Sequence, residues 1–194
     1  MMRIITGSAR GVRLASLEGD ATRPTAERVK EALFSSIQFE IEGRVVLDLF
    51  GGSGQLGLEA LSRGAASAMF VDSSADAMAI IKENAKKTGF FSVSRFLISD
   101  YRSYLRKAAG RDSYHLIFID PPYAANLVSD ALTRILAANL AKPGCLIVCE
   151  SSTPDIFDGN EELASRFDIV KQARYGIAHI AILRLKTEEE EEAE

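Results

Sequence analysis

A chain of 194 residues can bury a sizeable core in one domain without disulfide or metal staples. Its 47% apolar and 26% charged content is that of an ordinary globular protein. No apolar run is long enough to cross a bilayer, and the first residues lack the apolar stretch of a signal peptide. The net charge of −4 misleads, because six of the 27 acidic residues are glutamates of the last seven positions; without them 23 bases face 21 acids.

The amino-terminal stretch carries Arg3, Arg10 and Arg13 before any acid. Arg3-Ile4-Ile5 and Val12-Arg13-Leu14 flank Gly7 and Gly11 and predict a small hairpin. A helix is expected from about Ala26 to Ile37, with Val29, Leu33 and Ile37 on one face and Arg23, Thr25 and Arg28 on or just before it. A positive cluster there suits phosphate or RNA contact; a solvated amphipathic helix capped by Thr25 explains the same residues equally well.

From Val45 onward, β-rich runs alternate with helix-length segments. Expected strands are Val45 to Leu49, Ala68 to Asp72, Val93 to Ile98, His115 to Ile119 and Cys145 to Cys149, the last opened by the turn pair Pro143-Gly144. Expected helices between them are Leu56 to Arg63, Ser74 to Lys87, Tyr101 to Ala109 and Val128 to Leu140. This alternation predicts an α/β fold with a mostly parallel sheet covered by helices on both faces. Phe167 to Tyr175 and Ile177 to Leu185, joined at Gly176, have no helix between them and predict a terminal antiparallel hairpin. The organisation expected is an amino-terminal hairpin-helix appendage (1–44), a main domain (45–186) and a disordered acidic tail (187–194).

Cys145 and Cys149 share one strand face, with no further cysteine to complete a zinc site, and read as buried, reduced core thiols of a cytoplasmic protein. His115 and His179 lie inside expected strands and do not pair as catalytic bases. Neither a metal nor a membrane is expected as a partner.

The chemistry concentrates at strand ends. Gly52-Ser53-Gly54-Gln55-Leu56-Gly57 is a GxGxxG loop between the first strand and the next helix, and Asp72 ends the second strand where an acid grips ribose hydroxyls. A nicotinamide-binding protein is a fair competitor on those grounds. However, Asp48 stands before the glycines, where a carboxylate repels a pyrophosphate but suits a cation such as the α-ammonium of S-adenosylmethionine. Asp100, after the third strand, could accept from an adenine amino group, or simply cap a helix. After the fourth strand comes Asp120-Pro121-Pro122-Tyr123. A base amine is a poor nucleophile because its lone pair is delocalised. The Asp120 carboxylate and the Pro121 carbonyl can accept its hydrogens, the prolines stiffen the acceptors, and Tyr123 can stack on a flipped base. A Pro-Pro turn with Asp as a turn residue is the plainer alternative.

Asp-Pro-Pro-Tyr resembles the (Asp/Asn)-Pro-Pro-(Tyr/Phe) motif of amino-directed methyltransferases. Residues 48–65, Asp-Leu-Phe-Gly-Gly-Ser-Gly-Gln-Leu-Gly-Leu-Glu-Ala-Leu-Ser-Arg-Gly-Ala, resemble the cofactor loop and first helix of the RsmD-type 16S rRNA guanine-N2 methyltransferases. Residues 23–34, residues 5–11 and Arg174-Tyr175-Gly176 also fit that family, so the resemblance runs from residue 3 to about 185. Departures are few: Gly52 and Gln55 stand where alanine is commoner, and Asp72 replaces the more usual glutamate.

The resemblance implies a Rossmann-like class I methyltransferase fold and methyl transfer from S-adenosylmethionine to N2 of one guanine in the small-subunit head, on an assembling 30S particle. The candidate cofactor residues are Asp48, Phe50, Gly51, Gly52, Ser53, Gly54, Asp72, Ser73, Asp100 and Tyr101; the catalytic ones are Asp120, Pro121, Pro122 and Tyr123. Arg10, Arg23, Thr25 and Arg28 are the candidate RNA contacts. The motif by itself leaves DNA adenine or a protein glutamine open as substrate. A nicotinamide-binding Rossmann protein and a catalytically silent RNA-binding module are the readings of other classes.

Overall fold

The computed structural model describes residues 2–16, 24–122 and 127–187. The expected acidic tail lies almost wholly outside them, as do Arg23 and Tyr123. The chain divides into two compact units, residues 1–100 and 101–194.

In the first unit, α1 (Pro24–Ser36) precedes β1 (Val45–Asp48), α2 (Gln55–Ser62), β2 (Ser67–Asp72), α3 (Ala75–Lys87) and β3 (Ser94–Ile98). The strands run in the order β3-β2-β1, parallel throughout, with Leu47 beside Met69 and Phe70 beside Phe96. β1 and β2 are nearly continuous apolar runs because both bury their faces, whereas Leu97 and Ile98 of β3 are exposed. α3 starts where the Ser74 side chain accepts from the Ala77 N–H at 3.2 Å, and it ends with Lys86 and Lys87 beside its carbonyl terminus. Its expected inner face is found: Met78, Ile81 and Ala85 are buried. The amino-terminal hairpin is smaller than the pattern suggests, a single antiparallel bridge between Arg3 and Arg13. It is reinforced by Ile4 N–H to the Val12 carbonyl at 3.0 Å and Leu14 N–H to that of Met2 at 3.0 Å.

In the second unit, α4 (Tyr101–Ala108), β4 (Tyr114–Ile119), α5 (Leu127–Ala137), β5 (Ala141–Ser151) and α6 (Glu161–Ser165) lead to β6 (Phe167–Tyr175) and β7 (Ala178–Leu185). The order is β4-β5-β7-β6: β4 and β5 are parallel, and β7 is antiparallel to both β5 and β6, giving the expected terminal hairpin. Two elements differ from expectation. β5 begins at Ala141, so Pro143-Gly144 lies inside it, where the β4–β5 register shifts between Tyr114 and Leu116. A proline without an N–H is tolerated at such an irregularity. The short α6 was not expected; Asn160 caps it, accepting from the Leu163 N–H at 2.9 Å. Cys145 and Cys149 are buried thiols that form no disulfide, and burial pushes the Cys149 thiol far up.

Candidate functional site

β1 delivers Asp48 to the start of the glycine loop and leaves it 2% exposed. One oxygen accepts from the Gly57 N–H in the first turn of α2, at 3.0 Å. Burial pushes the carboxyl up to about 7, with the charge of Asp72 adding to the effect and the Gly57 hydrogen bond opposing it. Gly57 is required by the close packing: a Cβ there would stand 2.4 Å from Phe70 Cε1 and 3.2 Å from Asp48 Oδ2. α2 opens on Gly54 at φ 77°, with no side chain capping it. The helix N-terminus and the buried carboxyl therefore sit side by side in one loop. That combination suits a zwitterion, whose carboxylate meets backbone N–H groups and whose ammonium meets Asp48. A pyrophosphate would meet the same carboxylate as repulsion.

Asp72, at the end of β2, is placed differently. Oδ2 accepts from the Gly52 N–H and Oδ1 from the Ser74 N–H, both at 2.8 Å, so this carboxylate ties the glycine loop to the start of α3. Each oxygen keeps a second lone pair, which a ribose hydroxyl can use. Gly51 and Gly54 complete the turn through the Gly51 N–H to the Val71 carbonyl at 2.9 Å and the Gly54 N–H to the Gly51 carbonyl at 2.6 Å. Phe50 is half-buried, Ser53 is buried, and Ser73 and Asp100 are exposed.

Tyr101 belongs to the second unit. Its hydroxyl donates to Asp130 of α5 at 2.6 Å, and the Arg102 guanidinium lies 5.4 Å from its ring centre. Arg134 and Arg102 also bind Asp130, and together these contacts hold that carboxyl well below the usual range. Tyr101 thus has a structural bond as well as its position after Asp100. Asp120 follows β4 directly and is half-buried; Pro121 is buried and Pro122 is exposed.

The two described arginines of the candidate RNA surface come together. Arg10 and Arg28 line one cleft of about 370 Å³ with Arg3, Glu27 and Glu31, and Arg3 pairs with Glu27. The side chain of Thr25, like Arg23, is outside what the structure describes.

Two residues that the sequence did not single out hold the amino-terminal segment in place. Glu59 of α2, 0% exposed, accepts from the N–H groups of Ile5 and Thr6 at 2.8 and 3.0 Å and pairs with Arg63 at 2.9 Å and Lys30 at 3.6 Å. Lys30 also donates to the Arg3 carbonyl at 2.6 Å; burial lowers its pKa and Glu59 opposes that shift. Asn84 of α3, also 0% exposed, exchanges hydrogen bonds with the backbone of Ala15 and donates to the carbonyl of Ser53 in the glycine loop. Among the described residues no cluster of potential metal ligands occurs, and no helix is long and apolar enough to cross a membrane.

The family model described as "Conserved hypothetical protein 95" matches residues 2–184. The chain is 35% identical over 187 residues to YlbH of Bacillus subtilis, covering 94% of this chain and 98% of that one. It is 34% identical over 152 residues to the ribosomal RNA small subunit methyltransferase D of Escherichia coli, covering 77% of this chain and 74% of that protein. The solved structure of Escherichia coli yhhF superimposes with a TM-score of 0.83 at 27% identity, covering 96% of this chain and 99% of that one.

Proposed function

The chain belongs to the Conserved hypothetical protein 95 family, the RsmD-type methyltransferases, and we propose that it methylates N2 of one guanine in 16S rRNA of an assembling 30S subunit, using S-adenosylmethionine. The fold is the mixed α/β, mostly parallel class I methyltransferase fold. The chain is an S-adenosylmethionine-dependent rRNA methyltransferase. The observation that carries the cofactor assignment is Asp48: a buried carboxyl held near neutrality gains most from a ligand that brings a positive charge. A ribosomal substrate also puts the enzyme in the cytoplasm.

When bound, S-adenosylmethionine supplies an electrophilic methyl group on a sulfonium. Asp48 would hold the methionine ammonium, the loop from Phe50 to Gly54 would take the amino-acid part, and Asp72, with Ser73, would accept from the ribose. Asp100 and Tyr101 are the residues we assign to the adenine. Asp120 and the Pro121 carbonyl accept the two hydrogens of the guanine amine, which keeps its lone pair on nitrogen; that pair forms the new N–C bond as the methyl–sulfur bond breaks, its electrons staying on sulfur in the departing S-adenosylhomocysteine. Positive charge grows on that nitrogen, and the Asp120 carboxylate stabilises it before the extra proton leaves to Asp120 or water. Pro122 stiffens the backbone and Tyr123 stacks on the extruded base. Arg10, Arg23, Thr25 and Arg28 contact the RNA backbone.

The test is methylation of 30S subunits from a strain lacking this activity, followed by mapping of the product. The expected result is one N2-methylguanine in 16S rRNA. Methyladenine, or incorporation into protein only, would overturn the substrate assignment while leaving the cofactor site standing.

A further inference from the structure

The polar contacts of Asn84 join two parts of the first unit that are far apart in sequence. Its Oδ1 accepts from the Ala15 N–H at 2.8 Å, while Nδ2 donates to the carbonyls of Ala15 and Ser53, both at 2.9 Å. The orientation of this amide is fixed by its neighbours, since one donor faces the oxygen and two acceptors face the nitrogen. No other side chain of this size matches that set. Aspartate would set an acceptor against two carbonyls, and leucine would take the partner from the buried Ser53 carbonyl and from both part-buried backbone groups of Ala15. The loop meets the amino-terminal segment a second time, where the Ser53 hydroxyl donates to the Met2 sulfur at 3.0 Å. The segment so held carries Arg10, five positions before Ala15, and the loop so held is the one assigned to the cofactor.

We propose that Asn84 is a positioning residue that locks the Ser53 peptide and the amino-terminal segment into one arrangement, so that cofactor and rRNA strengthen each other's binding. The inference rests on the reading above, in which the glycine loop takes S-adenosylmethionine and Arg10 and Arg28 take RNA. Its physical basis is that the three hydrogen bonds are all made only when both segments are in register. A ligand that fixes either segment stabilises the register the other ligand needs. Such coupling is reciprocal: the factor by which cofactor raises RNA affinity equals the factor by which RNA raises cofactor affinity.

The test uses the full-length protein, S-adenosylhomocysteine as a cofactor probe that does not turn over, and unmethylated 30S subunits. Affinity for each is measured with and without saturating amounts of the other. The wild-type protein should show about fivefold or greater enhancement, equal in both directions. In Asn84→Leu the ratio should fall to about one while each ligand alone still binds. The near-isosteric Asn84→Asp provides the same comparison if the leucine variant does not fold. A merely structural role would weaken both affinities and leave the ratio unchanged. A wild-type ratio of one, or a ratio retained in either folded variant, overturns the inference. Failure of the wild-type protein to bind either probe would instead remove the functional reading beneath it.

Discussion

Glu59 and Asp48 are both buried carboxylates of the first unit, 0% and 2% exposed, yet their surroundings differ in kind. Glu59 is oversupplied with partners: two backbone N–H groups, a guanidinium and an ammonium. Asp48 accepts one described backbone N–H, from Gly57, and its carboxyl is pushed up to about 7. A buried charge is tolerated when its partners are built into the chain, and such a group serves the fold. A buried acid with little built-in compensation is best compensated by a ligand that brings a cation. The supply of partners, more than burial, separates a structural acid from one suited to binding.

If that distinction is right, substitutions of three acids should differ in what they damage. The largest effect is expected at Asp120, whose proposed contact to the target amine strengthens as positive charge develops on the nitrogen. Asp120→Ala should slow single-turnover methylation of 30S subunits about a hundredfold or more, with cofactor and substrate affinities nearly unchanged. Near-normal transfer by the folded variant would remove the amino-methylation mechanism. Glu59→Gln should damage stability instead. It keeps an acceptor for one of the two backbone N–H groups, sets an amide NH2 against the other, and leaves Lys30 and Arg63 without their counter-charge, at a cost of about 3 kcal/mol or more, which lowers Tm by roughly 6–12 °C in a chain of this size. Urea and thermal unfolding measure this. An unchanged midpoint would show that neither the charge of Glu59 nor its second acceptor oxygen holds the amino-terminal segment.

The strand-helix alternation and the terminal hairpin were legible because periodicity and turn residues act locally. The glycine loop and Asp120-Pro121-Pro122 stood out for the same reason: each is a short run of unusual residues at a strand end. Glu59 and Asn84 could not be read this way. Glu59 sits four residues before Arg63 and resembles a solvated helix pair, and Asn84 follows Glu83 in a charged stretch of α3. Their roles depend on backbone partners 54 and 69 positions away, at Ile5 and Ala15, which no local pattern reveals. The start of β5 was misplaced by the opposite fault: Pro143-Gly144 is a strong local turn signal, and the β4–β5 pairing accommodates it as a register shift. Asp72 shows a further limit. Its position suggested a ribose contact, but sequence gives no sign that its oxygens also bind the Gly52 and Ser74 amides.

The most direct measurement is the pH dependence of S-adenosylmethionine binding to the wild-type protein and Asp48→Asn, by titration calorimetry from pH 6 to 7.5. The Asp48 carboxyl is held above its ordinary value, so ionising it costs folding stability as pH rises toward about 7, and the cation needs the ionised form. Wild-type affinity should therefore weaken roughly tenfold from pH 7.5 to 6, as the carboxylate takes up its proton. Asp48→Asn cannot ionise, so its affinity at pH 7.5 should be about tenfold or more weaker and nearly flat with pH, with stability at that pH equal to or above wild type. A folded Asp48→Asn protein with wild-type affinity and the wild-type pH slope would contradict the assignment of Asp48 to the cofactor's ammonium.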